Sequence, residues 1–179
     1  MANNGENPSP NVCGKTVKLK ADDGEIFEVE EAVAMELQTV KSFFDDDGVS
    51  YDTVVPLLNV SSTALAKVIQ YCRRAVELRA KSGDDEGANE KAREEREGLE
   101  AELVREESDE GIKELILAAN YLNIKDMLSF LCRAVGDRIK NKSVEYVRRF
   151  FVLENDFSPE EEERNRNEVA WAFEGVDAD

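Results

Sequence analysis

The stretch Thr16-Val-Lys-Leu-Lys20 alternates polar and apolar positions, and Phe27-Glu-Val29 does so again. A period of two places one side chain in a core and the next in water, the pattern of a half-buried strand. Between the two runs lies Asp22-Asp-Gly24, whose glycine supplies the positive φ of a tight turn. An antiparallel hairpin over residues 16–29 follows. Glu30 to Leu37 and Thr39 to Phe44 read as two short helices, the second stopped by the run Asp45-Asp-Asp-Gly48. Val54-Val-Pro-Leu-Leu58 is a brief apolar strand, and Pro56, which has no N–H to donate, makes it an edge.

The period then lengthens. After Ser61 as N-cap, Leu65, Val68, Ile69, Cys72 and Val76 recur at helical spacing, with Lys67, Gln70 and Arg73 turned away. Ser108, followed by Asp109 and Glu110, starts another helix whose stripe is Ile112, Leu115, Ile116 and Ala119. Asn123 reads as the cap of the next, where Leu128, Leu131, Cys132, Val135 and Ile139 recur every three or four positions. Ser158-Pro159-Glu160-Glu161 is a capping box with proline at the first helical position. A last short helix carries Trp171 and Phe173.

One segment breaks the pattern. Lys81 to Glu110 holds thirteen acidic and five basic residues, a net −8, with only scattered alanines, Leu99, Leu103 and Val104 among them. Without a continuous apolar stripe, any helix there is expected to be solvated and frayed at Gly98. The expected division is a disordered N-terminus at 1–15, a core at 16–139 interrupted by an acidic linker at 80–108, and a helical extension at 140–179.

At 179 residues and 41% hydrophobic content the chain supports one modest core of roughly 100–150 residues. Its formal net charge of −17 repels phosphate backbones and anionic lipid, so neither nucleic acid nor membrane is expected as a partner. No run approaches a membrane span, and Met1 to Gly14 lacks the apolar centre of a signal peptide. Cys13, Cys72 and Cys132 are widely spaced, which suits a reducing compartment, and the last two sit on apolar faces as small core residues.

Catalytic chemistry finds little to stand on. There is no histidine to act as base or zinc ligand. The acidic pairs lie in solvated runs that leave their pKa values ordinary, which argues against a two-carboxylate hydrolase. Asp45-Asp-Asp-Gly48 lacks the later ligands and closing Glu of a calcium loop. No catalytic residue, metal or cofactor is expected.

Several long blocks carry a family likeness. Glu114-Leu-Ile-Leu-Ala-Ala-Asn-Tyr-Leu-Asn-Ile-Lys125, with the tail Asn155-Asp-Phe-Ser-Pro-Glu-Glu-Glu-Glu163 and Trp171-Ala-Phe-Glu174, closely resembles the Skp (S-phase kinase-associated) adaptors. Asp23-Gly-Glu-Ile-Phe-Glu-Val-Glu-Glu-Ala-Val-Ala34 and Leu65-Ala-Lys-Val-Ile-Gln-Tyr-Cys72 resemble the same family, and the Trp-Ala-Phe-Glu ending is similar to plant members. The resemblance implies an α+β fold, a BTB/POZ-like core with a small sheet followed by C-terminal helices. It implies an adaptor of Skp–cullin–F-box ubiquitin ligases, active in nucleus and cytoplasm, with a cullin and F-box proteins as partners. Carried over by motif, the cullin side includes Asn120 and Tyr121. The F-box side includes Leu128, Cys132, Val135, Ile139, Phe151 and Trp171.

Read from the residues alone, Leu128, Cys132, Val135 and Ile139 form a face that either receives a partner or packs on its own core. Tyr121 reads equally as a half-buried tyrosine at a helix junction. A cullin-independent subunit that sequesters F-box proteins or self-associates is the competing function. The chain also departs from the family. The usual Gly-Lys-Thr-Pro-Glu-Glu-Ile-Arg is Asn141-Lys-Ser-Val-Glu-Tyr-Val-Arg148 here, so Ser143 can cap but the reciprocal Glu bond is lost, a cost of about 1 kcal/mol. The usual Glu-Asn-Gln-Trp is Glu168-Val-Ala-Trp171, and Phe150-Phe151-Val-Leu153 is unusually apolar.

Overall fold

The computed structural model describes residues 15–47, 53–81 and 86–176. The hairpin forms as the alternation requires. Strand β1 (Thr16–Lys20) pairs antiparallel with β2 (Ile26–Glu30), with Val17 opposite Val29 and Leu19 opposite Phe27. Gly24 takes φ +92° in the turn. Beside it Asp23 accepts from the backbone N–H groups of Glu25 and Ser62, and its bond with the Ser62 side chain does most to hold its carboxyl below the usual range. Strand β3 (Val54–Pro56) joins β1 in parallel, giving the order β2-β1-β3 with Pro56 on an edge. Val17, Leu19, Val29 and Val55 face inward, while Thr16, Lys18, Lys20 and Glu28 face water.

Helices cover the inner face. Two short ones, α1 (Glu31–Ala34) and α2 (Gln38–Asp47), follow the hairpin. The aspartate run does not stop α2, which continues through Asp47, and Gly48 lies outside the described residues. Next, α3 (Ser62–Lys81) starts at Ser61, whose Oγ accepts from Ala64, and buries Leu65, Val68, Ile69 and Cys72. Helices α5 (Asp109–Tyr121) and α6 (Lys125–Ile139) complete the main core through Leu115, Ala118, Ala119, Met127, Phe130 and Leu131. This architecture is the expected α+β class, a small sheet with a helical C-terminal part. The expected disorder at the N-terminus, and Cys13 within it, lie outside the described residues.

The acidic segment departs from the expectation. Residues Glu86–Glu106 form one continuous helix, α4, unbroken at Gly98. Leu99, Leu103 and Val104 pack half-buried against the main core, a one-sided contact too sparse to show as a stripe. Polar bonds, most of them to other helices, hold the rest. Arg96 reaches Glu100 at 3.0 Å, Asp126 at 3.0 Å and the hydroxyl of Tyr71 at 3.4 Å. Burial alone would lower Arg96, yet Tyr71, Glu100 and Asp126 keep it above its ordinary value. Tyr71 itself is pushed up to about 12, chiefly by burial. Lys67 of α3 pairs with Glu107. Arg138 of α6 donates to the carbonyls of Val104 and Glu107 at 2.7 and 2.6 Å, satisfying acceptors that a helix end leaves open.

Asn123 does not cap α6, whose N-cap is Ile124 with no side-chain bond. Asn123 instead takes φ +54° and closes α5. Its N–H donates to Asn120, and that of Ile124 to Ala119, the paired bonds of a left-handed helix terminus. Cys132 is exposed, unlike the buried Cys72. Helix α6 turns Met127, Phe130, Leu131 and Val135 inward, and Cys132 lies one step around from Leu131, on the outer side.

Helices α7 (Val144–Phe151) and α8 (Pro159–Glu168), then a 3-10 turn at Ala170–Phe173, end the described chain. A second, smaller cluster of Ile112, Val135 and Phe150 seats α7. The capping box at Ser158 and Glu161 forms in full.

Candidate functional site

The C-terminal end of α5 is fixed from two sides. Its left-handed terminus fixes the chain direction, and Thr39 of α2 donates its hydroxyl to the carbonyl of Tyr121 at 2.6 Å. Tyr121 is half-buried against the main core, whereas Asn120 is exposed. Tyr121 thus does have the half-buried place at a helix junction that its sequence context allowed. One turn earlier Leu117 stands 65% exposed, on the same side as Asn120 and Tyr121 by its three- and four-residue spacing. Sequence reasoning missed Leu117, because it sits inside the apolar run Leu115–Ala119, which reads as core. Its offset from the buried Leu115, Ala118 and Ala119 was the available signal.

The other predicted side chains lie on α6, on α7 and beyond. Val135 is buried with Ile112 and Phe150, and Ile139 packs partly against them with Tyr146. Leu128 lies at the edge of the main core, with the exposed Cys132 between it and Val135. Phe151 is 44% exposed and meets Phe150 edge-on at 4.9 Å. Trp171, 74% exposed, belongs to neither core cluster. The structure therefore brings Val135, Ile139 and Phe151 around Phe150 and leaves Trp171 apart. On the α6 face Val135 packs inward, while Cys132 is exposed and Leu128 and Ile139 are only partly buried.

Helix α7 is held by bonds that the sequence hid. Lys113 of α5 donates to the carbonyl of Phe150 at 2.8 Å and lies 5.4 Å from the centre of its ring. Ser143 caps α7, accepting from Tyr146 at 2.9 Å. Tyr146 stands where the reciprocal glutamate is missing, and its hydroxyl donates instead to Asp109 at 3.1 Å. Asp109 in turn accepts from Arg138 at 2.7 Å. The lost local bond is replaced by a tie between helices. Partial burial first, and then Asp109, raise the Tyr146 pKa.

Helix α8 buries none of its residues. Arg148 and Asn155 converge on Glu162 at 2.9 and 3.1 Å, and Arg166 reaches Glu145 at 3.0 Å. Between α7 and α8 lies an apolar cavity of about 170 Å³ walled by Val144, Phe157, Val169 and Phe173, with Arg148 and Arg166 at its rim. Phe173 was read from the sequence on a last short helix, but its meeting with Val144, Phe157 and Val169 was not, because these residues are isolated among charges.

Residues 15–77 match the model of the Skp1 family, tetramerisation domain, and residues 125–172 that of the Skp1 family, dimerisation domain. SKP1-like protein 1A of Arabidopsis thaliana is 47% identical over 91% of this chain and 100% of its own length. The chain belongs to the Skp1 family. SKP1-like protein 4 of the same plant is 44% identical, covering 89% of this chain and 97% of its own. SKP1-like protein 20 of Oryza sativa subsp. japonica is 44% identical over 88% and 94%. The first family model spans the sheet, α1, α2 and most of α3, and the second spans α6 to the 3-10 turn. The fold within those spans is that of a Skp1 family POZ domain and its helical extension. No helix among the described residues is long and apolar enough to cross a membrane.

Proposed function

We propose that this Skp1 family chain is a non-catalytic adaptor in a Skp–cullin–F-box ubiquitin ligase of nucleus and cytoplasm. One face holds a cullin scaffold and the other an F-box receptor, and substrate is modified because it is kept near the transferring enzyme. The observation that carries this reading is the place of α5. At one end it grips α7 through Lys113, and at the other it presents Asn120 beside Leu117 and Tyr121. A partner on either end is then positioned relative to the other by a single rigid helix of about 1.5 Å per residue.

The test is selective loss. Asn120→Ala with Tyr121→Ala is expected to weaken cullin binding at least tenfold (about 1.4 kcal/mol) while binding to an F-box domain stays unchanged. Calorimetry with each partner measures both. Unmoved cullin affinity removes the assignment of this face. Affinity purification that returns F-box proteins with no cullin would move the function to a cullin-independent subunit.

A further inference from the structure

Helix α4 lies between residues 77 and 125, outside both spans that the family models match. Its C-terminal end nevertheless meets the elements that seat α7. Val104, near that end, packs half-buried against the main core and also against the small cluster of Ile112, Val135 and Phe150. It bridges the seam between the two. A shift of α4 therefore reaches the apolar seat of α7 directly.

A chain of polar bonds runs through the same place. The Arg138 guanidinium donates to the carbonyls of Val104 and Glu107 at 2.7 and 2.6 Å and to Asp109 at 2.7 Å. The other carboxylate oxygen of Asp109 accepts from the Tyr146 hydroxyl at 3.1 Å. A planar guanidinium fixed at three points orients the carboxylate it touches, and that carboxylate orients Tyr146. Arg138, Asp109 and Tyr146 are all half-buried, where water competes less for their bonds. Lys113, one turn on from Asp109, donates to the carbonyl of Phe150, one turn on from Tyr146. Helix α7 is thus clamped to the start of α5 at two points, and the end of α4 sets one of them.

We propose that α4 tunes F-box docking, its C-terminal end setting how firmly α7 is seated through Val104 and through the relay Arg138–Asp109–Tyr146. Arg138, Asp109 and Tyr146 are then positioning residues for the docking helix. The inference rests on the F-box reading of the C-terminal helices and adds to it a control from outside the docking face. Helix α7 stands on a small apolar cluster, so its seated fraction responds to single bonds. A partner that needs α7 seated binds in proportion to that fraction. The coupling is reciprocal: what seats α7 also steadies the end of α4.

The experiment is amide hydrogen exchange on the full chain, free and with a recombinant F-box domain. Tyr146→Phe keeps the ring and removes only the hydroxyl. It is expected to speed exchange in α7 about fivefold, the worth of one net hydrogen bond, and to speed it in the last turn of α4 as well, while the main melting transition stays put. Asp109→Ala should do the same. Asp109→Asn should restore slow exchange at both places, since its amide oxygen accepts from Arg138 and its NH2 donates to the Tyr146 hydroxyl. The F-box domain should protect the end of α4 together with α7, and calorimetry should give about fivefold weaker binding to the Tyr146→Phe chain. An α4 end that neither Tyr146→Phe nor the bound domain moves overturns the inference, as does Asp109→Asn exchanging as fast as Asp109→Ala. Unchanged F-box affinity in the Tyr146→Phe chain overturns it too. Those exchange results are read in the free chain, so they stand apart from the F-box reading. Failure of the unaltered chain to bind the domain overturns that reading, and the inference with it.

Discussion

Among the described residues, Asn123, Asn141 and Val152 hold left-handed backbone without being glycine. The two asparagines suit that conformation, since a short polar side chain tolerates it. Val152 does not. A β-branched residue at φ +55° and ψ +44° crowds its own backbone, and at 79% exposure it gains little from packing. It is held there because the N–H of Leu153 donates to Arg148 at 2.8 Å, closing α7. Val152→Asn should therefore stabilise the protein by about 1 kcal/mol, read as a higher midpoint in urea. Glu162 yields a second expectation. Bonds from Arg148, then Asn155, hold its pKa below the ordinary 4.5. A depressed folded-state value gives stability that is present above the unfolded pKa and lost as pH falls through the folded one. The α7–α8 contact should hold at neutral pH and loosen as acid protonates Glu162 below pH 4.5, followed by the NMR signals of Arg148.

Helix α4 shows how far an element can be read from its residues. The hairpin, the Ser61, Ser108 and Ser158 caps and the capping box were legible because each is set by neighbours in sequence. Asn120 and Tyr121 were singled out by a family motif, whereas Leu117 beside them carried no such signal. Helix α4 was not legible, because Tyr71, Asp126 and Arg138, which hold it, are distant in sequence. Cys132 was misplaced for a related reason: α6 carries more apolar positions than its packing uses. Two substitutions on α4 should move in opposite directions. Gly98 is exposed and helical, with open space where a side chain would stand, so Gly98→Ala should add stability of about 0.5–1 kcal/mol. Leu103→Ala should remove about 1–2 kcal/mol, because Leu103 packs on the main core. Thermal unfolding of the two variants checks both signs.

At the scale of the molecule the packing is uneven. The sheet, α1, α3, α5 and α6 share one continuous core, while α7 depends on the cluster of Ile112, Val135 and Phe150, and α8 and the 3-10 turn bury nothing. A chain ending at Glu168 should keep its main melting transition and lose affinity for an F-box domain, which separates Trp171 as a binding residue from Trp171 as part of the core. The small second cluster has a consequence for how the chain meets a protease. Releasing α7 gives up little apolar contact, so the segment after Asn141 should open on its own, well before the core does. Brief digestion should cut there first and leave a fragment that keeps the sheet and Asn120. An F-box domain, if it docks there as proposed, should shield that segment and slow the cut, so that the free chain is clipped while the bound one is spared.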